Sequence, residues 1–407
     1  MRVLHLTEFY VGVGGLERGL HMICDALEAA GHISSVAFGV LRGGEPQSPR
    51  AVYHIPGLVG PVTTDTLNDL REVLEKEQPD VLIIHELLDP DILDWATAQR
   101  PSIRFVWGFK LICPGGRRMW QGPGQVCPRP VGYMCQAVAY RERCMPRDPR
   151  VGVPLIGRTL KVADIHRERS AIVVPSEFMR GLLLKEGFIP SRVHKVPLFT
   201  ILPSAVTLRP PHEPLTIFCA ARLTPEKGVH LLLEAIKDLP EARLIVAGAG
   251  PECVRLEAMA GEYGLHGRVT FTGWLDPAAV AYYIDRAGIV VVPSVWPEPF
   301  GLVGIEAMAH ARPVVAFDVG GIREWLSHEE TGLLVLPADV DALRASLLRL
   351  LKDPDWASQM GRNGRAAAET RFTASTHLKA FLPVLSSAVT GWAVARTSTG
   401  TPSRWKR

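Results

Sequence analysis

The sequence predicts an α/β protein made of two Rossmann-like, doubly wound parallel-sheet domains facing across a cleft, and three observations lead there. Short apolar runs alternate with helix-period segments along both halves of the chain, the pattern of parallel strands joined by crossover helices. A proline-rich stretch, residues 197–214 with Pro210 and Pro211 adjacent, interrupts that alternation midway and reads as a hinge. A chain of 407 residues also exceeds one ordinary core and suits two.

In order, residues 3–6 read as a strand and 16–30 as the helix after it. Strands are then expected at 35–40, 81–85, 103–107, 171–174 and 193–196, with helices at 67–76 and 177–186 between them. Beyond the hinge, strands resume at 215–221, 244–247, 269–271, 289–292, 314–317 and 333–335. The division is thus residues 1–200 and 201–373, and then a helix over 374–392. A tail over 393–407, rich in Thr, Ser, Arg and Lys, is expected to be disordered. In open sheets of this kind ligands bind outside the carboxyl ends of the strands, which makes the cleft the expected site.

Composition narrows the class. A hydrophobic share of 47% with 21% charged residues describes a soluble globular chain, neither disordered nor fibrous. A net charge of +3 is too small to imply a nucleic-acid partner. No run approaches the roughly twenty apolar residues of a membrane helix, and no signal-peptide pattern precedes the first strand. Seven cysteines, an odd number spread over both halves, fit a reducing compartment, so a cytoplasmic location is expected.

The chemistry concentrates in Pro297-Glu298-Pro299-Phe300-Gly301-Leu302-Val303-Gly304-Ile305-Glu306. A strand, a loop and a helix in succession would place Glu298 on the loop and Glu306 on the helix. Gly301 leaves the backbone bare where the first N–H groups of that helix lack internal partners, a seat that attracts phosphate. Arg222 and Lys227, in Ala221-Arg222-Leu223-Thr224-Pro225-Glu226-Lys227-Gly228, come after another apolar strand and supply the cations a diphosphate needs. Carboxylates for hydroxyls and cations for phosphates together describe a nucleotide-sugar. Taken alone, the two glutamates could equally be an exposed loop residue and an exposed helix residue. Gly248-Ala249-Gly250 could open a dinucleotide fingerprint, but position 253 is Cys where the third glycine belongs.

These motifs resemble family 4 retaining glycosyltransferases of the GT-B fold. The likeness rests on Arg222 and Lys227-Gly228, the turn Gly248-Ala249-Gly250-Pro251, the two glutamates with Pro299-Phe300-Gly301 between them, Gly320-Gly321 before Glu324, and the N-terminal Gly14-Gly15-Leu16-Glu17. It extends from the first strand to about Phe372. The resemblance implies an N-terminal acceptor domain and a C-terminal nucleotide-sugar domain, with the final helix crossing back to the first. It assigns catalysis to Arg222, Lys227 and Glu298. Donor contacts would come from Gly15, Gly248, Gly250, Pro299, Phe300, Gly301, Leu302, Val303 and Glu306, the last holding a ribose. Acceptor or sugar contacts would come from Gly14, Glu17, His85 and Trp107. Because two side-chain cations serve the diphosphate, no metal is required there. The partners implied are a nucleoside diphosphate sugar and a hydroxyl acceptor in the form of a glycan, lipid or small molecule.

Two features depart from the family. Its members usually carry a His in the segment after the strand at 103–106, where Trp107 and Gly108 stand here. Trp107 cannot accept a proton, although its ring could stack on a sugar and its N–H could donate one hydrogen bond. His85 ends the preceding strand and could reach the cleft or simply close a strand end. The second departure is the segment 113–150, where Cys113, Cys127, Cys135 and Cys144 are spaced by thirteen, seven and eight residues. Four thiolates on a structural zinc would give this weakly periodic loop a reason to fold. The close cysteine pairs of ordinary zinc sites are missing, so unliganded thiols or an occasional disulfide are the alternative, with an iron–sulfur cluster a weaker one. Some family members carry a similar Cys-Pro and then spaced cysteines. Seven arginines from Arg117 to Arg150 face only Glu142 and Asp148, and such a basic loop could hold a phosphorylated acceptor, lie peripherally against anionic lipid, or merely be solvated.

Two functions compete. One is a hexosyltransferase that uses a nucleoside diphosphate sugar. The other is a catalytically weakened nucleotide-sugar-binding protein that assists another transferase. All four of Arg222, Lys227, Glu298 and Glu306 are present, which favours the enzyme.

Overall fold

The computed structural model describes residues 1–10, 15–41, 49–60, 62–119, 125–203, 211 and 213–399. Gly14, expected at the first glycine loop, lies outside them. The chain divides into two compact units, with one boundary between Val196 and Pro197, at the start of the proline-rich stretch.

The first unit is built on strands β1 (Arg2–Tyr10), β2 (Ile33–Leu41), β3 (Val52–His54), β4 (Val81–Ile84), β5 (Ser102–Phe105), β6 (Ser170–Val174) and β7 (Val193–Lys195). They form one sheet in the order β3-β2-β1-β4-β5-β6-β7, every neighbour parallel. The order reverses between β1 and β4, where His5 lies opposite Ile83. All four residues of β4 are buried, as an apolar run covered on both faces should be. The short β3 was not evident in the sequence.

The second unit carries β8 (Glu213–Ala220), β9 (Arg243–Ala247), β10 (Val269–Gly273), β11 (Ala287–Val292), β12 (Val314–Phe317) and β13 (Gly332–Val335). Their order is β10-β9-β8-β11-β12-β13, again wholly parallel, with the reversal between β8 and β11 and Ile217 opposite Ile289. Both sheets therefore have the strand order of a dinucleotide-binding fold, and each has one crevice at its reversal.

The last helix, Ala374–Thr399, is longer than expected and takes in residues 393–399 of the supposed tail. The alanines and arginine at 393–396 favour helix, and one glycine at 391 costs only about 1 kcal/mol. From His377 onward this helix belongs to the first unit, where His377 and Phe381 meet the ring of Phe105 at 6.3 and 6.1 Å.

The cysteine-bearing segment is held by a small core and a buried ion pair. Among the described residues no three His, Cys, Asp or Glu side chains are placed to hold a metal ion. Cys113, Cys135 and Cys144 fall in the first unit and Cys127 in the second. Cys135 and Cys144 instead pack against a small core of Ala139, Met145 and Ile156. Arg118 anchors the segment, donating through Nη2 to Glu186 at 2.6 Å and through Nη1 to the Ile112 carbonyl at 2.8 Å, while Glu186 also accepts from the Val131 N–H at 3.0 Å. Both charged side chains are almost fully buried, so removing either would strand the other in apolar surroundings.

Candidate functional site

The reversal of the second sheet gathers the residues the sequence singled out. After β8 the chain runs through Arg222, exposed, to a 3-10 turn at Pro225–Lys227. After β11 it runs through Pro293 to Glu298 and then enters the helix Leu302–Ala309. Although 71 residues separate them, Lys227 Nζ and Glu298 Oε1 meet at 2.5 Å, and the ammonium also sits 4.6 Å from the centre of the Trp296 ring. The two charged side chains are 15% and 9% exposed, so the pair is shielded but reachable.

Backbone contacts fix this geometry. The Glu226 carbonyl accepts from the N–H groups of Val295 and Trp296, each at 3.0 Å, and from Ser294 Oγ at 3.3 Å, which ties the two loops together. The Glu298 carbonyl accepts from the Gly321 N–H at 2.7 Å. Gly320 makes that approach possible: its φ is +56°, and a Cβ there would lie 2.3 Å from the Glu298 oxygen. Gly248 and Gly250 have a similar task, with the carbonyls of Ala221 and Leu223 where their side chains would be. They therefore seat the Arg222 loop.

The remaining donor-site expectations separate into surface and core. Gly301 takes φ +99° and begins the helix, with Leu302 and Val303 as its first residues, so the first N–H groups of that helix come after a bare backbone. Pro299 and Phe300 are buried. The Phe300 carbonyl accepts from Trp325 Nε1 at 2.6 Å and its ring meets Phe372 edge-on at 5.9 Å, so this side chain supports the helix start from within. Glu306 is 6% exposed on the same helix. Thr224 Oγ1 and Glu226 Oε2, in the Arg222 loop, are buried polar atoms with no hydrogen-bond partner among the described residues.

In the first unit the expected contacts behave differently. Trp107 Nε1 donates to His85 Nδ1 at 3.0 Å, which leaves the His85 proton on Nε2, 3.0 Å from His5 Nδ1. Both imidazoles are wholly buried. Burial, the strongest cause, holds His85 well below its ordinary value and His5 down to about 3. His85 thus closes a strand end inside the unit, and the N–H expected to be available on Trp107 is already used. The indole also lies on Gly19, where a Cβ would be 2.3 Å from the ring. Gly15 opens the helix Gly15–Ala29 and Glu17 stands half-buried in its first turn.

Sequence reasoning missed two features. Trp296, beneath the Lys227 ammonium, carried no signal beyond its place in the loop. A cavity of about 480 Å³ in the first unit, lined by Glu8, Asp89, Lys110, Arg158 and Thr159 among others, draws its walls from segments too distant in sequence to form a motif. Burial raises the Glu8 carboxyl, and Lys110 beside it, the largest opposing influence, is paired with Glu86 at 2.8 Å.

Comparison with known proteins identifies the family and the fold. Residues 205–367 match the family model for glycosyl transferases group 1, and residues 13–200 match that for glycosyltransferase family 4. An uncharacterized glycosyltransferase of Methanocaldococcus jannaschii is 36% identical over 34% of this chain and 36% of its own length. A glycogen synthase of Mycobacterium tuberculosis is 33% identical over 91% of both chains. Among solved structures, HepE of Anabaena in complex with UDP superposes with a TM-score of 0.69 at 19% identity, over 95% of this chain and 100% of that one.

Proposed function

We propose that this chain, which belongs to the group 1 glycosyltransferases of family 4 and has their GT-B fold, moves a sugar from a nucleoside diphosphate sugar to a hydroxyl acceptor with retention at the anomeric carbon. The observation that carries the reading is the Lys227–Glu298 contact at the reversal of the second sheet. Without a ligand each charge satisfies the other. A bound donor divides them, its diphosphate taking the ammonium and its sugar hydroxyls the carboxylate. Arg222 adds a second cation, the N–H groups after Gly301 receive a phosphate, and Glu306 accepts from the ribose hydroxyls. The UDP bound by HepE, a protein of like fold, supports a donor of this class.

In the reaction, the acceptor oxygen approaches the anomeric carbon on the face from which the diphosphate leaves. The bond from carbon to phosphate oxygen breaks as the new carbon–oxygen bond forms, and a diphosphate oxygen takes the hydroxyl proton. Lys227 and Arg222 stabilise the charge that develops on the leaving group, and no metal is needed for that step. The cavity beside Glu8 and Lys110 in the first unit offers donors and acceptors to a polyhydroxylated acceptor.

The experiment is a panel of nucleoside diphosphate sugars, read by thermal shift and by nucleoside diphosphate release. A donor at about a hundred times its dissociation constant should add roughly 2.7 kcal/mol of stability. Release with one nucleotide family, undiminished by chelator, is the expected result. Neither shift nor release with any donor would refute the proposal, and a shift without release would favour the binding-partner alternative.

A further inference from the structure

The helix Met134–Glu142 is folded inside out. Its buried positions are Gln136 and Ala139, whereas Tyr133 just before it, Met134 and Tyr140 are 63%, 66% and 55% exposed. With Ala137, also exposed, they recur at the three-to-four-residue spacing of one helix face. The inversion has a local cause. Gln136 donates to the Arg147 carbonyl at 2.7 Å and crosses the helix Pro149–Arg169 at Gly152, where a Cβ would lie 1.8 Å from its Oε1. The flanking residues Val151 and Val153, 52% and 38% exposed, lie on opposite sides of the crossing. Tyr133 reaches the same helix, its hydroxyl 3.8 Å from a Cβ built on Gly157.

Cations surround this apolar face. Residues 125–150 hold five arginines, all exposed, against Glu142 and Asp148. That excess of three positive charges in 26 residues equals the excess on the whole chain. Glu142 is paired with Arg141 at 2.7 Å and Asp148 caps the N-terminus of the longer helix, and the arginines outnumber these two acids. A nucleic-acid backbone would match the charge but offer nothing to Met134 and Ala137. A surface of anionic headgroups over acyl chains matches both, because tyrosine rings and arginine stems lodge where polar and apolar layers meet.

We propose that the outer face of these two helices docks peripherally on an anionic lipid surface. Tyr133, Met134 and Tyr140 enter the headgroup boundary, and Arg141, Arg147 and Arg150 lie against lipid phosphates. The inference is independent of the reaction proposed above, since its test reads binding alone.

The full chain would be sedimented with vesicles of phosphatidylcholine and with vesicles in which about 30% is phosphatidylglycerol, at about 50 mM and about 500 mM salt. Two variants would be compared, R141E/R147E/R150E and Y133S/Y140S, each checked for an unchanged unfolding midpoint. The expected result is binding to the anionic vesicles at low salt, weaker by about tenfold or more at high salt, on phosphatidylcholine alone and in the arginine variant. The tyrosine variant should bind about threefold or more weakly. Absence of binding at low salt, or equal binding by the arginine variant, would overturn the proposal. So would self-association that Y133S/Y140S abolishes in a protein that ignores vesicles, which would assign the face to a second copy of the chain.

Discussion

At the reversal of the second sheet, Lys227 and Glu298 hold opposite charges within reach of solvent, while beside the reversal of the first sheet His5 and His85 are neutral and sealed under Trp107. Both sheets have the same strand order, and both crevices lie where a doubly wound sheet offers a ligand seat. The difference lies in the segments that leave the strand ends. After β8 and β11 come loops held by backbone bonds and packed glycines, which free their side chains to meet a ligand. After β4 and β5, His85 and Trp107 bond to each other. At the reversal itself a charge pair faces a ligand in one sheet, and a neutral hydrogen-bonded chain of side chains fills the other.

The largest effect that would test this contrast is at Lys227. Lys227→Ala removes a cation from the leaving group, so turnover should fall by about a hundredfold or more. The donor-induced thermal shift should also shrink or vanish. The vacated Glu298 carboxylate is buried, so the variant should also lose stability, and turnover is compared well below its unfolding midpoint. Turnover within about threefold of the parent would show that the charged crevice is not where the reaction occurs.

In the sealed crevice the corresponding disruption is steric. Gly19→Ala places a methyl 2.3 Å from the Trp107 ring, a clash that must displace the indole or the helix Gly15–Ala29. Overpacking of this kind costs about 1–3 kcal/mol, measurable by denaturant titration. The donor-induced thermal shift, which reports on the second unit, should remain. Losing it would mean that the first crevice also governs donor binding.

Acid should separate the two crevices next. His5 and His85 have folded-state values depressed below 6.5, so the unfolded chain binds protons that the folded chain refuses. Stability is then complete above about pH 6.5 and declines as pH falls, by up to about 1.4 kcal/mol per pH unit for each histidine kept neutral. His166, also depressed by burial, adds to the slope. His5→Phe should remove one histidine's share between pH 6.5 and 5, whatever it costs at pH 8. An unchanged slope in that variant would show that His5 is already free to protonate in the folded protein.

The contrast also shows how far sequence can be read. The strand–helix alternation revealed both sheets, because a strand buried on both faces must be a short apolar run wherever it lies. Arg222, Lys227, Glu298 and Glu306 were legible because a βα loop and a helix start bring charge to the carboxyl edge at short range. The fate of His85 and Trp107 was not legible, since it depends on His5 in one neighbouring strand and Gly19 on a helix. Nor could spacing alone reveal that Arg118 and Glu186, 68 residues apart, hold the segment for which a zinc site was considered. The inverted helix at 134–142 escaped notice because its one buried amide finds its partner in Arg147, outside the helix.

The smallest expected effect is the sharpest test of the sealed crevice. Trp107→Phe keeps most of the aromatic surface over His85 and Gly19 but deletes the N–H that His85 Nδ1 accepts. A single bond of this kind contributes about 1 kcal/mol, with more at stake if the buried nitrogen is left without a partner. The unfolding free energy should fall by about that amount, and turnover should stay within about threefold of the parent, because no reacting atom loses a contact. Trp107→His should likewise bring no gain in rate, since its imidazole would face His85 in the place the indole vacates. A large rise in rate with histidine at 107 would show that this crevice opens to the substrate, and would overturn the distinction between the two.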